Sequence, residues 1–198
     1  MAQPYWAQNS PAPAGLDFLA SDDWTDWSHP LVAQLAAQLP GNTPTELARA
    51  AFERVKDQYP HALDCNAAAL ARKASEVLQL GQGYCYTKSL LLAALLRARA
   101  IPAGLVYQRL GDPASGYALH GLVALWLDRW HLLDARGDNA QVKTTFDLET
   151  PSLAYPGTGP GEGWVPQIFT QPPPEVAQAL AQAADCQALT QNYPDRLL

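Results

Sequence analysis

Three side chains in this sequence have types and settings suited to acyl-transfer chemistry: Cys85, His120 and Asp134. Cys85 closes the run Gly81-Gln82-Gly83-Tyr84-Cys85 and opens a long apolar stretch, so it sits just inside a predicted helix N-terminus. Unpaired backbone N–H groups and the helix dipole favour an anion there, and hence a thiolate over a thiol. The glycines let the chain turn sharply and let a substrate approach. The plainer reading is a small buried thiol, since free cysteines are often core residues. His120 stands between Leu119 and Gly121 on a predicted strand. It could take the thiol proton or form an ion pair with the thiolate, or be a strand-end histidine with one satisfied hydrogen bond. Asp134 follows Leu132-Leu133, and a carboxylate in so apolar a sequence needs a partner. That partner is either a histidine, which it would orient, or Arg136 in a structural ion pair. An acyl-transfer site also needs donors for a developing oxyanion. The Cys85 backbone N–H is one, and Gln82, Tyr84 and Tyr107 are side-chain candidates; a solvated turn residue is the alternative for Gln82.

The elements that must position these residues follow from the pattern. Ser28-His29-Pro30 reads as a helix start with Ser28 as N-cap, followed by an apolar face of Leu31, Leu35 and Leu39. Thr43-Pro44-Thr45-Glu46 is a capping box for a second helix running towards Tyr59-Pro60. Residues 61–73 carry no clear period. Ala74-Ser75-Glu76-Val77-Leu78 is a short helix ended at Gly81, and the Cys85 helix runs to about Arg99, before Ile101-Pro102. Beyond Pro102 the period falls to two. Ala103 to Leu110, Leu119 to Leu127 and Trp130 to Ala135 read as strands, the last two forming a hairpin. Residues 151–166 are Pro/Gly-rich, and Pro172 to Pro174 lead into a final helix. Helices first and antiparallel strands afterwards predict an α+β domain. The expected layout is a single domain over residues 1–198, with an extended arm at 1–20, a core at about 28–155, and a Pro/Gly-rich loop and C-terminal helix at 156–198.

Taken together, a Gly-x-Gly-x-Cys helix start, a strand histidine and a hairpin aspartate resemble the transglutaminase-like superfamily. That group includes transglutaminases, peptide N-glycanases and bacterial cysteine protease-like proteins. The matching residues are Ala74 to Leu78, Gly81 to Ser89, Leu91 to Arg97, Ile101-Pro102-Ala103-Gly104, Leu119-His120-Gly121 and Trp130 to Gly137. The likeness spans about residues 65–155 and is nearest to a bacterial, protease-like subgroup. It implies a papain-like α+β core, with the cysteine helix packed on an antiparallel sheet. It also implies a triad of Cys85 as nucleophile, His120 as base and Asp134 as orienting carboxylate. The implied function is acyl transfer from an amide of a peptide or protein side chain through a thioester, ending in hydrolysis or in transfer to an amine acceptor. An arylamine N-acetyltransferase-like acyltransferase and a silent binding module of the same fold are the alternatives. Many family members have an aromatic residue soon after the histidine; here the sequence is His120-Gly121-Leu122.

Composition narrows the field. Thirteen basic against nineteen acidic residues give a net charge of −6, which disfavours nucleic acid as a partner. The longest apolar run, Leu90 to Leu96, is far short of a membrane span, and the N-terminus lacks a signal-peptide pattern. Three widely spaced cysteines suggest a reducing cytoplasm, with Cys65 and Cys186 as packing residues, and no metal or cofactor motif is present. Nothing in the sequence specifies an oligomeric state.

The hairpin supplies a geometric test. A two-residue turn at Asp128-Arg129 would send His120 and Asp134 to opposite faces. A three-residue turn pairing Trp126 with Trp130, or a β-bulge, would put them on one face, diagonal to each other.

Overall fold

The structure, a computed structural model, describes Pro4, Ala7 and residues 9–197. The parts of the predicted arm at residues 1–3, 5, 6 and 8 lie outside the described residues. Helix α1 (Pro30–Ala37) starts one residue later than the sequence suggested: His29, not Ser28, is the N-cap, and its Nδ1 accepts from the Leu31 N–H at 3.3 Å. Helix α2 (Pro44–Gln58) begins with the expected capping box, in which Thr43 and Glu46 satisfy each other's backbone N–H groups. Helix α3 (Ala74–Leu80) ends at Gly81, which takes the left-handed conformation at φ 70°. Helix α4 (Cys85–Ala98) is buried along almost its whole length. Its middle, Leu90 to Leu96, is apolar all round, which suits a helix with neighbours on every side. Helices α1, α2 and α3 pack around it, and the sheet covers the rest.

The sheet has the order β3-β2-β1-β4, antiparallel throughout, with β1 (Ala103–Asp112), β2 (Gly116–Trp126), β3 (Trp130–Leu133) and the short β4 (Gly163–Trp164). Leu105, Val123, Leu125 and Leu133 join the α4 side in the main core. Val106, Leu122, Ala124, Trp130 and Leu132 form a second cluster on the other face. The arm closes that face: Phe18 meets Trp130 edge-on at 5.1 Å, and the Trp130 indole donates to the Pro11 carbonyl at 2.9 Å. Two short helices, α5 (Pro174–Gln182) and α6 (Cys186–Gln191), end the chain where a single final helix was expected.

The β2–β3 turn is the three-residue form. Trp126 pairs with Trp130, their rings 5.6 Å apart, and Val123 pairs with Leu133. Continuing that register past β3 places Asp134 opposite Leu122 and diagonal to His120, on one face of the hairpin.

Two buried cations tie loops to α4. The Lys88 amine donates to the carbonyls of Lys56, Tyr59 and Arg136. Arg97 holds Ala20, Thr25, Ala103 and Thr170, and pairs with Asp22 at 3.3 Å. Neither residue is on the surface; both are structural.

Candidate active site

The start of α4 is shaped by small residues. A Cβ on Gly83 would come within 2.8 Å of Thr87 Oγ1, so only glycine lets this turn fold onto the first helical turn. There Thr87 Oγ1 accepts the Tyr84 N–H at 3.0 Å. Gly121 does the same work from the sheet side. A Cβ there would press to 3.1–3.4 Å on the ring and backbone of Tyr86, the residue after Cys85. Its absence allows the helix start to lie directly against β2, next to His120.

Asp134 is buried and accepts three hydrogen bonds. These come from His120 Nε2 at 2.9 Å, the Ala154 N–H at 2.8 Å and the Arg136 N–H at 3.1 Å. Burial alone would raise its pKa; the His120 charge and these donors outweigh it and hold the carboxyl below the usual range. The Arg136 guanidinium does not pair with Asp134. It makes a bidentate contact with Asp64, at 2.7 and 3.0 Å, and donates to the Tyr155 hydroxyl. Of the two partners the sequence allowed for Asp134, its side chain takes the histidine.

With Nε2 on Asp134, His120 has Nδ1 left for the Cys85 thiol, which lines the same cavity. Burial would lower the imidazole pKa, but Asp134 and Cys85 raise it to about 10. Burial would raise the thiol, but the neighbouring imidazoles of His120 and His61 bring it down to about 6. Between those values the pair is thiolate and imidazolium. The Cys85 N–H belongs to the first helical turn, whose amides have no intrahelical acceptor.

Cys85, His120 and His61 line a cavity of about 410 Å³, with Arg136, Tyr155 and Tyr193 among its walls. The Tyr155 ring stands edge-on to His120 at 5.3 Å. Tyr193 packs on Tyr84 and Tyr86 at 5.9 and 6.1 Å. It is held there because Leu119 N–H donates to the Pro194 carbonyl and Arg109 to the Asp195 carbonyl. A second cavity of about 480 Å³, between residues 62–68 and α6, contains none of Cys85, His120 or Asp134.

The side-chain oxyanion candidates are placed elsewhere. Gln82 donates its amide to the Ala69 carbonyl at 2.6 Å. Tyr84 directs its hydroxyl to the Cys186 carbonyl and Thr190, anchoring α6. Tyr107 is buried against Tyr86 and Phe169, and burial together with the Cys85 charge raises its pKa. None of the three lines the cavity. The residue the sequence reading missed is His61. It reaches the site through a parallel bridge between His61 and Gly83, which joins segments with no shared periodicity. Of the remaining cysteines, Cys186 is packed, whereas Cys65 is exposed and not the packing residue expected.

Comparison with known proteins bears on the fold and the family. No curated protein sequence matches the chain. Among solved structures, a candidate cysteine protease from Cytophaga hutchinsonii shares the fold, with a TM-score of 0.51 and 17% identity over 61% of this chain and 41% of that one. The periplasmic domain of TgpA from Pseudomonas aeruginosa, bound to ethylmercury, aligns with a TM-score of 0.46 and 22% identity over 60% of this chain and 46% of its own. The match therefore spans less than half the length of either structure. Residues 33–135, just over half of the sequence, match the model of the transglutaminase-like superfamily, and the chain belongs to that superfamily.

Proposed function

We propose that the protein is a cysteine-nucleophile acyl-transfer enzyme acting on amide bonds, with Cys85 as nucleophile, His120 as acid and base, and Asp134 as the group that orients His120. One observation carries this reading: a thiol at a buried helix N-terminus shares the wall of a cavity with an imidazole, and that imidazole lies 2.9 Å from a buried carboxylate. The thiolate attacks the amide carbonyl, and the carbonyl electrons move onto oxygen. Collapse of the tetrahedral species breaks the C–N bond as His120 delivers its proton to the leaving amine. The thioester left on Cys85 is then resolved by water, with His120 taking the proton. Hydrolysis of a peptide or side-chain amide is the proposed net reaction, and transfer to an amine the second. The free thiols suit a reducing compartment such as the cytoplasm.

The test is direct. The protein is incubated with a library of acyl-amide peptides and with p-nitrophenyl acetate, and intact and peptide masses are recorded. An acyl group on Cys85 that hydroxylamine removes, absent in Cys85→Ala, supports the assignment. Acylation at Cys65 or Cys186 instead, or none at any thiol, sinks it and favours the binding-module reading.

A further inference from the structure

The Cys85 thiol has a second imidazole beside it. His61 is 5% exposed and lines the same cavity as Cys85 and His120. Three local contacts fix it. The 60–62 segment is laced to the α4 turn by Ala62 N–H to the Gly83 carbonyl and Gly83 N–H to the Pro60 carbonyl. The ring stands edge-on to Tyr84 at 5.3 Å. Its Nδ1 accepts the Leu63 N–H at 3.3 Å. A nitrogen that accepts carries no proton, so the imidazole N–H is on Nε2. The side chain lies on the cavity wall with Cys85, and with Nδ1 engaged the N–H it can offer there is Nε2–H.

The two histidines therefore differ in kind. His120 has a buried carboxylate on its far nitrogen and carries the proton that must move. His61 has a backbone N–H on its far nitrogen, an arrangement that locks one tautomer and gives it a fixed donor. When the thiolate bonds to a carbonyl carbon, the new oxyanion forms on the atom next to that sulfur. A donor on the cavity wall beside that sulfur is placed to reach the oxyanion. Gln82 and Tyr84, the obvious side-chain donors near the nucleophile, have their donor atoms directed elsewhere.

We infer that His61 is a catalytic residue whose Nε2–H, together with the Cys85 backbone N–H, forms the oxyanion hole. The assignment rests on the cysteine acyl-transfer reading above and supplies its missing electrostatic part. In the step concerned, sulfur bonds to the acyl carbon, the carbonyl pair moves to oxygen and is held by the two N–H groups, and the pair returns as the leaving group departs. His61 keeps its proton throughout.

Acylation and alkylation separate this role from a structural one. Both need the thiolate, but only acylation passes through an oxyanion. His61→Phe keeps the ring and its packing on Tyr84 without the N–H, and His61→Gln restores an N–H on a flexible side chain. Each is compared with wild type for the p-nitrophenyl acetate burst and for iodoacetamide labelling of Cys85, at the plateau of its own pH profile. The expected result for His61→Phe is an acylation rate lower by roughly 10²-fold and an alkylation plateau within about threefold of wild type, with His61→Gln recovering part of the acylation loss. Equal losses in both reactions, or acylation of His61→Phe within about threefold of wild type, overturn the assignment while leaving Cys85 as nucleophile. No burst in wild type overturns both readings.

Discussion

The matched stretch, residues 33–135, and the segment that follows it contribute different things to the same cavity. The first places Cys85 at a helix start and His120 on a strand, both on the cavity wall, with Asp134 behind His120 one residue past β3. The second supplies walls: Tyr155 on an irregular loop and Tyr193 on a strap held by two backbone carbonyls. Reactive groups need positions fixed to a fraction of an ångström, and helix starts and strand registers give that. Walls need only shape, and loops can vary it without disturbing the core. The comparison teaches that chemistry and selectivity should separate under mutation.

The largest effect should come from the first region. Cys85→Ala is expected to lower acyl transfer by at least about 10⁴-fold, with thermal unfolding little changed, because the thiol contributes more to reaction than to packing. His120→Ala should approach that loss, and Asp134→Asn should retain more activity than His120→Ala, as read by steady-state kinetics. The reverse ranking would make Asp134 something other than an orienting group.

Next is thiol reactivity. Cys85 should be alkylated by iodoacetamide with a rate that rises through about pH 6, where its thiol loses its proton. Cys186 should lag at neutral pH, because burial, Asp185 and Cys65 raise its pKa. At the alkaline limit the pair changes again: above about pH 10 the His120 imidazolium is lost, and with it the acid for the leaving amine, so amide turnover should fall while ester acylation does not. Site-resolved mass spectrometry across pH reads the first part, and amide against ester rates the second. Predominant labelling at Cys65 or Cys186 would break the distinction.

Lys88 should report on stability alone. Lys88→Met leaves three buried carbonyls without their donor and is expected to cost about 2–4 kcal/mol in urea unfolding. The smallest effect should be at the wall. Tyr193→Ala is expected to change the relative rates of large and small acyl donors by roughly three- to tenfold, with small reagents reaching Cys85 about as before. A loss of reactivity towards every donor would mean that the strap positions chemistry as well.

The sequence carried the first region far better than the second. Local chemistry announced the capping box at Thr43, the glycine stop at Gly81 and the apolar Cys85 helix. Parity arithmetic singled out a three-residue turn as one of two devices that put His120 and Asp134 on one face, and the Trp126–Trp130 pair realises it. Other features depend on contacts between distant segments that leave no period. His61 enters through one isolated bridge, and Asp64 takes the Arg136 guanidinium that might have gone to Asp134. Gln82 sits close to the nucleophile in sequence, yet its amide is turned to the 61–73 loop, a segment with no readable structure. Proximity along the chain was a poor guide to which side chains line the cavity.

The three carbonyls on Lys88 have a kinetic consequence. They come from the end of α2, from the residue two before His61, and from the exit of the β3 segment that bears Asp134. One amine thus touches the chain on both sides of the site, and neither flank can pull away without stranding it in the interior. Amide protons near residues 60–62 and 134–137 should therefore exchange with solvent as a single cooperative unit, at a rate set by sub-global opening and not by fraying of either loop. A pocket built from segments far apart in sequence would then open all at once or stay shut.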